Sequence, residues 1–111
     1  VDYPDIAEKV CRHILDGSCE SGILICGTGI GISIAANKIK GIRAALCSDV
    51  YSAKMTKRHN NANVITLGGR VIGEELAYEI IDAWMDASFE GGRHQARVDK
   101  ISKLEARQEE K

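Results

Sequence analysis

The chain has 111 residues, 44% of them hydrophobic and 28% charged, with a formal net charge of −1. Those values describe one ordinary globular domain and exclude a disordered or fibrous chain. No global basic field draws it to nucleic acid or to a membrane surface, so any anion site must be local.

The chain opens on Val1-Asp2-Tyr3-Pro4 with no initiator methionine and no strand ahead of its first helix, which leads us to expect a lost beginning. Ile6, Ala7, Val10, Cys11, Ile14 and Leu15 recur at helical spacing, with Pro4 in the first turn and Gly17 as the stop. Gly22-Ile23-Leu24-Ile25-Cys26 is a short apolar run between turn residues, the pattern of a strand buried on both faces. Gly27 to Gly31 make a tight turn, and Ile32, Ala35, Ala36 and Ile39 give a second helix stopped by Gly41. Arg43-Ala44-Ala45-Leu46-Cys47 reads as a strand, after which Ser48 or Asp49 can cap a helix running to about Arg58.

A polar cluster, His59-Asn60-Asn61-Ala62-Asn63, then leads into the strand Val64-Ile65-Thr66-Leu67 and the turn Gly68-Gly69. A helix from Gly73 to about Ala87 carries Leu76, Ala77, Ile80, Ile81 and Trp84 on its inner face. Gly91-Gly92 precede a last helix with a narrow stripe of Val98, Ile101 and Leu104. Residues 105–111 are almost wholly polar and read as a tail to a single domain spanning residues 1–104.

Alternating strands and helices predict a Rossmann-like three-layer α/β/α fold, a parallel sheet with right-handed crossovers and helices on both faces. Ligands of such sheets bind outside the carboxyl ends of the strands. The loops there are Cys26–Gly31, Cys47–Asp49 and Gly68–Arg70.

The four cysteines (Cys11, Cys19, Cys26, Cys47) contain no Cys-x-x-Cys, and His13, His59 and His94 supply no metal-like pairing. We therefore expect no metal and no cofactor. With no signal peptide and no long apolar run, reduced thiols in the cytoplasm are the expectation.

In Cys26-Gly27-Thr28-Gly29-Ile30-Gly31-Ile32-Ser33, three glycines in five positions let backbone N–H groups converge at a helix N-terminus, a ready anion site. The same donors lower the pKa of a neighbouring thiol, making Cys26 a base or nucleophile. The competing reading is a small buried hydrophobe at a strand end. A dinucleotide fingerprint is disfavoured, because Gly-x-Gly-x-x-Gly from Gly27 or Gly29 needs glycine where Ile32 or Ile34 stands. His59 is either a solvated loop histidine or an acid–base group. Arg93 and Arg97, four apart, are either a solvated basic face, alongside His94 and Lys100, or a phosphate clamp to which Arg70 adds a third cation.

Four motifs in order carry a resemblance: Asp2-Tyr3-Pro4, Gly22 through Lys38, His59-Asn60-Asn61-Ala62-Asn63-Val64, and Gly91-Gly92-Arg93-His94-Gln95-Ala96-Arg97-Val98. Together they are similar to the B-type ribose-5-phosphate isomerases, from Asp2 to about Leu104. The resemblance implies a metal-free interconversion of ribose 5-phosphate and ribulose 5-phosphate in the pentose phosphate pathway. Cys26 would take the C2 proton to give a cis-enediolate, and Thr28 would help return it. Backbone N–H groups of the Gly29–Ser33 turn, which includes Ile30 and Gly31, would hold the enediolate oxygens, and Gly27 would also bind substrate. His59 would open the sugar ring, Asn60, Arg70, Arg93 and Arg97 would bind oxygens and phosphate, and Tyr3 would line the pocket.

The resemblance also implies a homodimer or homotetramer in which His59 and the arginine pair serve the partner's Cys26. In the related galactose-6-phosphate isomerase these motifs are split between two chains, whereas here one sequence carries both sets. Family members begin with a strand and a Gly-x-Asp-His-x-Gly segment that this sequence lacks, so about three of five strands are expected and an apolar edge should lie bare at Ile23–Ile25. That departure keeps open a sugar-phosphate-binding module without strong turnover, and allose or galactose 6-phosphate stands as an alternative substrate.

Overall fold

The computed structural model describes residues 2–109. Helix α1 (Tyr3–Leu15) leads into strand β1 (Gly22–Cys26), helix α2 (Ile30–Asn37), strand β2 (Ala44–Leu46) and helix α3 (Val50–Asn60). Strand β3 (Val64–Gly68), helix α4 (Glu74–Asp86) and helix α5 (Arg93–Glu109) complete the order. Asp49, not Ser48, caps α3: its carboxylate accepts the Ser52 N–H at 2.7 Å and the Ser52 hydroxyl at 2.8 Å. The last helix runs past Leu104 to Glu109, and the Glu105 carboxylate accepts the Gly41 N–H at 3.1 Å. Residues 110–111 of the expected tail lie outside the described residues.

All strand pairs are parallel, and the order is β1-β3-β2. The last strand to form in sequence is therefore the central one, pairing Gly22 with Val64 and Cys26 with Gly68 on one side and Ala44 with Val64 on the other. All five residues of β3 are buried. Its alternation splits the core: Val64 joins Leu24, Ala7, Cys11, Ile32 and Ala36 under α1 and α2, whereas Ile65 and Leu67 join Cys47, Ala53, Ile80 and Trp84 under α3 and α4. Each large aliphatic so buried stabilises the fold by roughly 1.5–3 kcal/mol. The Lys57 ammonium lies 4.3 Å from the Trp84 ring centroid and donates to the Trp84 carbonyl at 3.1 Å, closing the α3–α4 layer.

Three sequence expectations change. β1 is not buried on both faces: only Leu24 is fully inside, while Ile25 is 58% exposed, because β1 is an edge strand with one flank uncovered. The bare Ile23–Ile25 edge was expected from the resemblance, and the structure has it. His59 and Asn60 are not in a loop. They form the last turn of α3, which Asn61 ends in the left-handed region (φ 49°). His94 is not a surface group, being 7% exposed.

On α5, Val98 is buried, but Ile101 and Leu104 are about half exposed. Among the described residues no helix is long and apolar enough to cross a membrane.

Candidate active site

The chain leaves β1 at Cys26 through a turn that only glycine can make. Gly29 sits at φ 80°, and a Cβ there would come within 2.5 Å of Leu46 Cδ1 and 2.9 Å of the Leu67 backbone carbon. The buried Thr66 hydroxyl donates to the Gly29 carbonyl at 2.8 Å, pinning the turn to the middle of β3. Gly69 and Arg70 extend the sheet by donating from their amides to the carbonyls of Cys26 (2.8 Å) and Gly27 (3.0 Å). That extension lays the Arg70 side chain beside Gly27, where a Cβ would be 3.6 Å from Arg70 Cδ and Nε. On the other flank Tyr3, from the start of α1, lies against Gly31.

The turn is built around the sulfur. The Gly29 N–H donates to Cys26 Sγ at 3.2 Å. Burial pushes the thiol pKa up, but the N–H groups of Ile32, Gly29, Thr28 and Gly31 outweigh it and hold the pKa below its ordinary value. Donors that stabilise a thiolate at a helix N-terminus raise the fraction of it available as a base near neutral pH. By contrast, burial and then the nearby Asp49 carboxylate push the Cys47 thiol up to about 11, so it is inert at neutral pH. Thr28 is exposed, and its hydroxyl accepts the Ile30 N–H at 3.2 Å. The Ser33 hydroxyl donates to the Ile30 carbonyl at 2.7 Å. One cluster thus holds Cys26, Gly27, Thr28, Gly29, Ile30, Gly31, Ser33, Tyr3 and Arg70.

His59, Asn60, Arg93 and Arg97 form a second cluster elsewhere. Helix α3 starts beyond the carboxyl end of β2 and runs back to enter β3 at its amino end. Its last turn is therefore on the Gly22–Val64 side of the sheet, whereas Cys26 pairs with Gly68 on the opposite side. Four residue steps at about 3.3 Å separate those ends, roughly 13 Å of sheet. The start of α5 joins the amino-end cluster: His94 stacks on His59 with ring centroids 4.1 Å apart and planes 8° apart. Glu90 Oε1 lies 3.8 Å from His59 Nε2 and 3.5 Å from His94 Nε2. Arg93 and Arg97 are exposed beside them.

The fold makes a His59–Glu90–His94 group that sequence spacing did not show, with its ligand atoms within 4.8 Å of one another. Near-parallel rings point their nitrogen lone pairs side by side, so one ion about 2.0–2.1 Å from each nitrogen cannot lie in both ring planes. Glu90 had no periodicity or motif to mark it, and only the contact of the 87–92 loop with α3 reveals it. A concavity of about 900 Å³ between α2, β2 and α5 is lined by Asn60, Arg43, Ile101 and Leu104 among others but not by Cys26 or His59. It marks the open side of α5 and not the thiol.

A parallel α/β sheet with a poised thiol on a glycine turn at a strand's carboxyl end, flanked by tyrosine and arginine, defines a small-molecule enzyme of the Rossmann-like class. Comparison with known proteins narrows this. The sequence pattern described as Ribose/Galactose Isomerase matches residues 1–101. The chain belongs to that family and is a sugar-phosphate isomerase. It is 55% identical over 106 residues to ribose-5-phosphate isomerase B of Escherichia coli, covering 96% of this chain and 71% of the relative. It is 57% identical over 103 residues to a D-erythrulose-4-phosphate isomerase of Pectobacterium atrosepticum, covering 93% and 68%. The solved structure of ribose-5-phosphate isomerase B from Clostridium thermocellum superposes with a TM-score of 0.95 at 54% identity, covering 96% of this chain and 72% of that one.

Proposed function

We propose that the protein interconverts ribose 5-phosphate and ribulose 5-phosphate, with Cys26 as the base. The observation that carries this reading is the Cys26 sulfur at the focus of four backbone N–H groups, with a pKa held below that of an ordinary thiol. A thiolate there takes the proton from C2 of the open aldose as electron density moves to O1, a proton passes from the O2 hydroxyl to O1, and the cis-enediolate is reprotonated at C1 to leave the ketone at C2, with Thr28 helping to return the proton. Donors from the Gly29–Ser33 turn stabilise the enediolate oxygens, an effect worth about 3–4 kcal/mol for one well-placed donor. His59 opens the furanose ring, and Asn60, Arg70, Arg93 and Arg97 hold hydroxyls and phosphate.

The two clusters lie at opposite ends of one sheet, which supports a homo-oligomer whose site joins Cys26 of one copy to His59 and the arginine pair of another. The half-exposed Ile101 and Leu104 supply apolar surface for such a contact. The free cysteines suit a reducing cytoplasm.

The test follows ribulose 5-phosphate formed from ribose 5-phosphate by wild-type protein and by Cys26→Ala. Loss of at least 100-fold in kcat at an unchanged folding temperature is expected of a general base. An alanine variant that keeps its rate removes Cys26 from the chemistry. Sugar-phosphate binding without any turnover by the wild type would identify a binding module instead. The 57% identity to a D-erythrulose-4-phosphate isomerase favours a second reading, a tetrose 4-phosphate as substrate, and the ratio of kcat/KM for the two sugars decides between them.

A further inference from the structure

The His59 ring is held from two sides by residues to which the proposed reaction gives no role. His94 offers a flat, buried platform: its side chain is 9% exposed against 39% for His59, and the rings are parallel to within 8° at 4.1 Å. Glu90 is fixed by its own backbone, whose N–H donates to the Arg58 carbonyl, the residue before His59, at 3.0 Å. From there its Oε1 reaches toward both imidazole Nε2 atoms. The His94 N–H in turn donates to the Gly91 carbonyl at 3.0 Å, so the loop, the start of α5 and the end of α3 are fastened at one point.

Two adjacent imidazoles among Arg93 and Arg97 cannot both hold a proton cheaply. Burial, then the charges of His59 and Arg93, keep the His94 pKa below the ordinary histidine value, Glu90 opposing them. Those causes disfavour the charged form of His94, so it packs on His59 as a flat, uncharged ring, with the Glu90 carboxylate within reach of both imidazoles. At 3.5–3.8 Å the carboxylate acts by charge, since these separations exceed those of a side-chain hydrogen bond.

We propose that Glu90 and His94 are positioning residues that hold the His59 imidazole for opening of the sugar ring. This inference rests on the ring-opening role given to His59 above. In that step a proton leaves the O1 hydroxyl, the C1–O4 bond breaks to leave an aldehyde at C1, and O4 takes up a proton, with no net proton gained or lost. An aldose that is already open needs none of this. Ribose 5-phosphate closes a five-membered ring through its free O4, whereas erythrose 4-phosphate carries its phosphate on O4 and cannot.

The experiment compares both substrates in the wild-type protein, His59→Ala, Glu90→Gln and His94→Ala. Turnover of the tetrose doubles as the check that each variant is folded. Glu90→Gln and His94→Ala should lose about tenfold or more in kcat on ribose 5-phosphate, the scale of a misplaced catalytic group, while changing less than about twofold on erythrose 4-phosphate. Imidazole C–H resonances in NMR give a readout independent of turnover. The ring-current shift of His59 should collapse in His94→Ala and move in Glu90→Gln. If His59→Ala slows both sugars equally, the ring-opening role of His59 fails. If His59→Ala is selective but Glu90→Gln and His94→Ala leave both sugars and the His59 resonances unchanged, or slow both sugars alike, the positioning role fails while the His59 role stands. Should the wild type not turn over the tetrose, the NMR shifts decide the positioning role alone.

Discussion

Replacing Gly29 by alanine separates two costs that usually arrive together, because Gly17 supplies a matched control. Both glycines have positive φ, 80° and 86°, so alanine meets a similar backbone penalty at each. That penalty is about 1–2 kcal/mol, partly offset by the smaller entropy of the unfolded alanine chain. At Gly17 nothing lies within 4 Å of the added Cβ. At Gly29 the Cβ meets Leu46 Cδ1 at 2.5 Å, the Leu67 carbonyl carbon at 2.9 Å and the Gly68 nitrogen at 3.0 Å. Leu46 can swing away, but the β3 backbone cannot, and overpacking of this kind costs about 1–3 kcal/mol.

Gly17→Ala should therefore destabilise by about 1 kcal/mol and Gly29→Ala by about 3 kcal/mol. The difference of about 2 kcal/mol corresponds to roughly 8–16 °C in Tm for a domain of this size. Urea unfolding followed by fluorescence of Trp84, the one tryptophan and fully buried, measures both. Gly29→Ala should also lose isomerase activity at temperatures where it is folded, since the displaced turn takes the Gly29 N–H off the Cys26 sulfur. Equal destabilisation by the two substitutions would refute the steric argument. Full activity of folded Gly29→Ala would refute the claim that the turn geometry sets the thiol.

Iodoacetamide should label Cys26 with a pH midpoint below the ordinary thiol value while Cys47 stays unlabelled up to about pH 10, as read by peptide mass spectrometry. A folded protein whose Cys26 reacts only at ordinary thiol pH would contradict the donor arrangement. The Cys47 pKa is raised on folding, so between about pH 9 and 11 the unfolded chain binds fewer protons and stability must fall as pH rises. Cys47→Ala should flatten that alkaline decline, and an unchanged slope would place its origin elsewhere. Thr66→Val keeps the shape but removes the hydroxyl on the Gly29 carbonyl, costing about 1–2 kcal/mol and lowering activity more than a remote core change of equal cost. Mixing Cys26→Ala with His59→Ala after dissociation should restore about a quarter of wild-type activity, because random dimers are half mixed and each mixed dimer has one intact composite site. No recovery in demonstrably mixed dimers would contradict a shared site.

The sequence by itself determined the local events. Hydrophobic runs and helical spacing marked every strand and helix to within a few residues, since each element's burial stripe is written into its own residues. The Cys26 turn was equally legible, because a positive φ at a strand-to-helix turn needs glycine there. Four short motifs in order were enough to imply the family.

What required the tertiary structure was whatever depends on residues far apart in the chain. No local pattern says that β3 lies between β1 and β2, so the apolar run of β1 looked fully buried when its Ile25 flank is open. The helix α3 reached His59 and Asn60 because Asn61, not the polar composition around it, ends the helix in a left-handed turn. His94 looked like surface charge beside two arginines until α5 folded it under His59, and Glu90 acquired a partner only through the loop that docks on Arg58. The same physics explains the distance between Cys26 and His59. In a parallel sheet each crossover helix carries the chain back to the amino end, so a residue at a strand's carboxyl end and one at a helix's last turn are held a strand length apart.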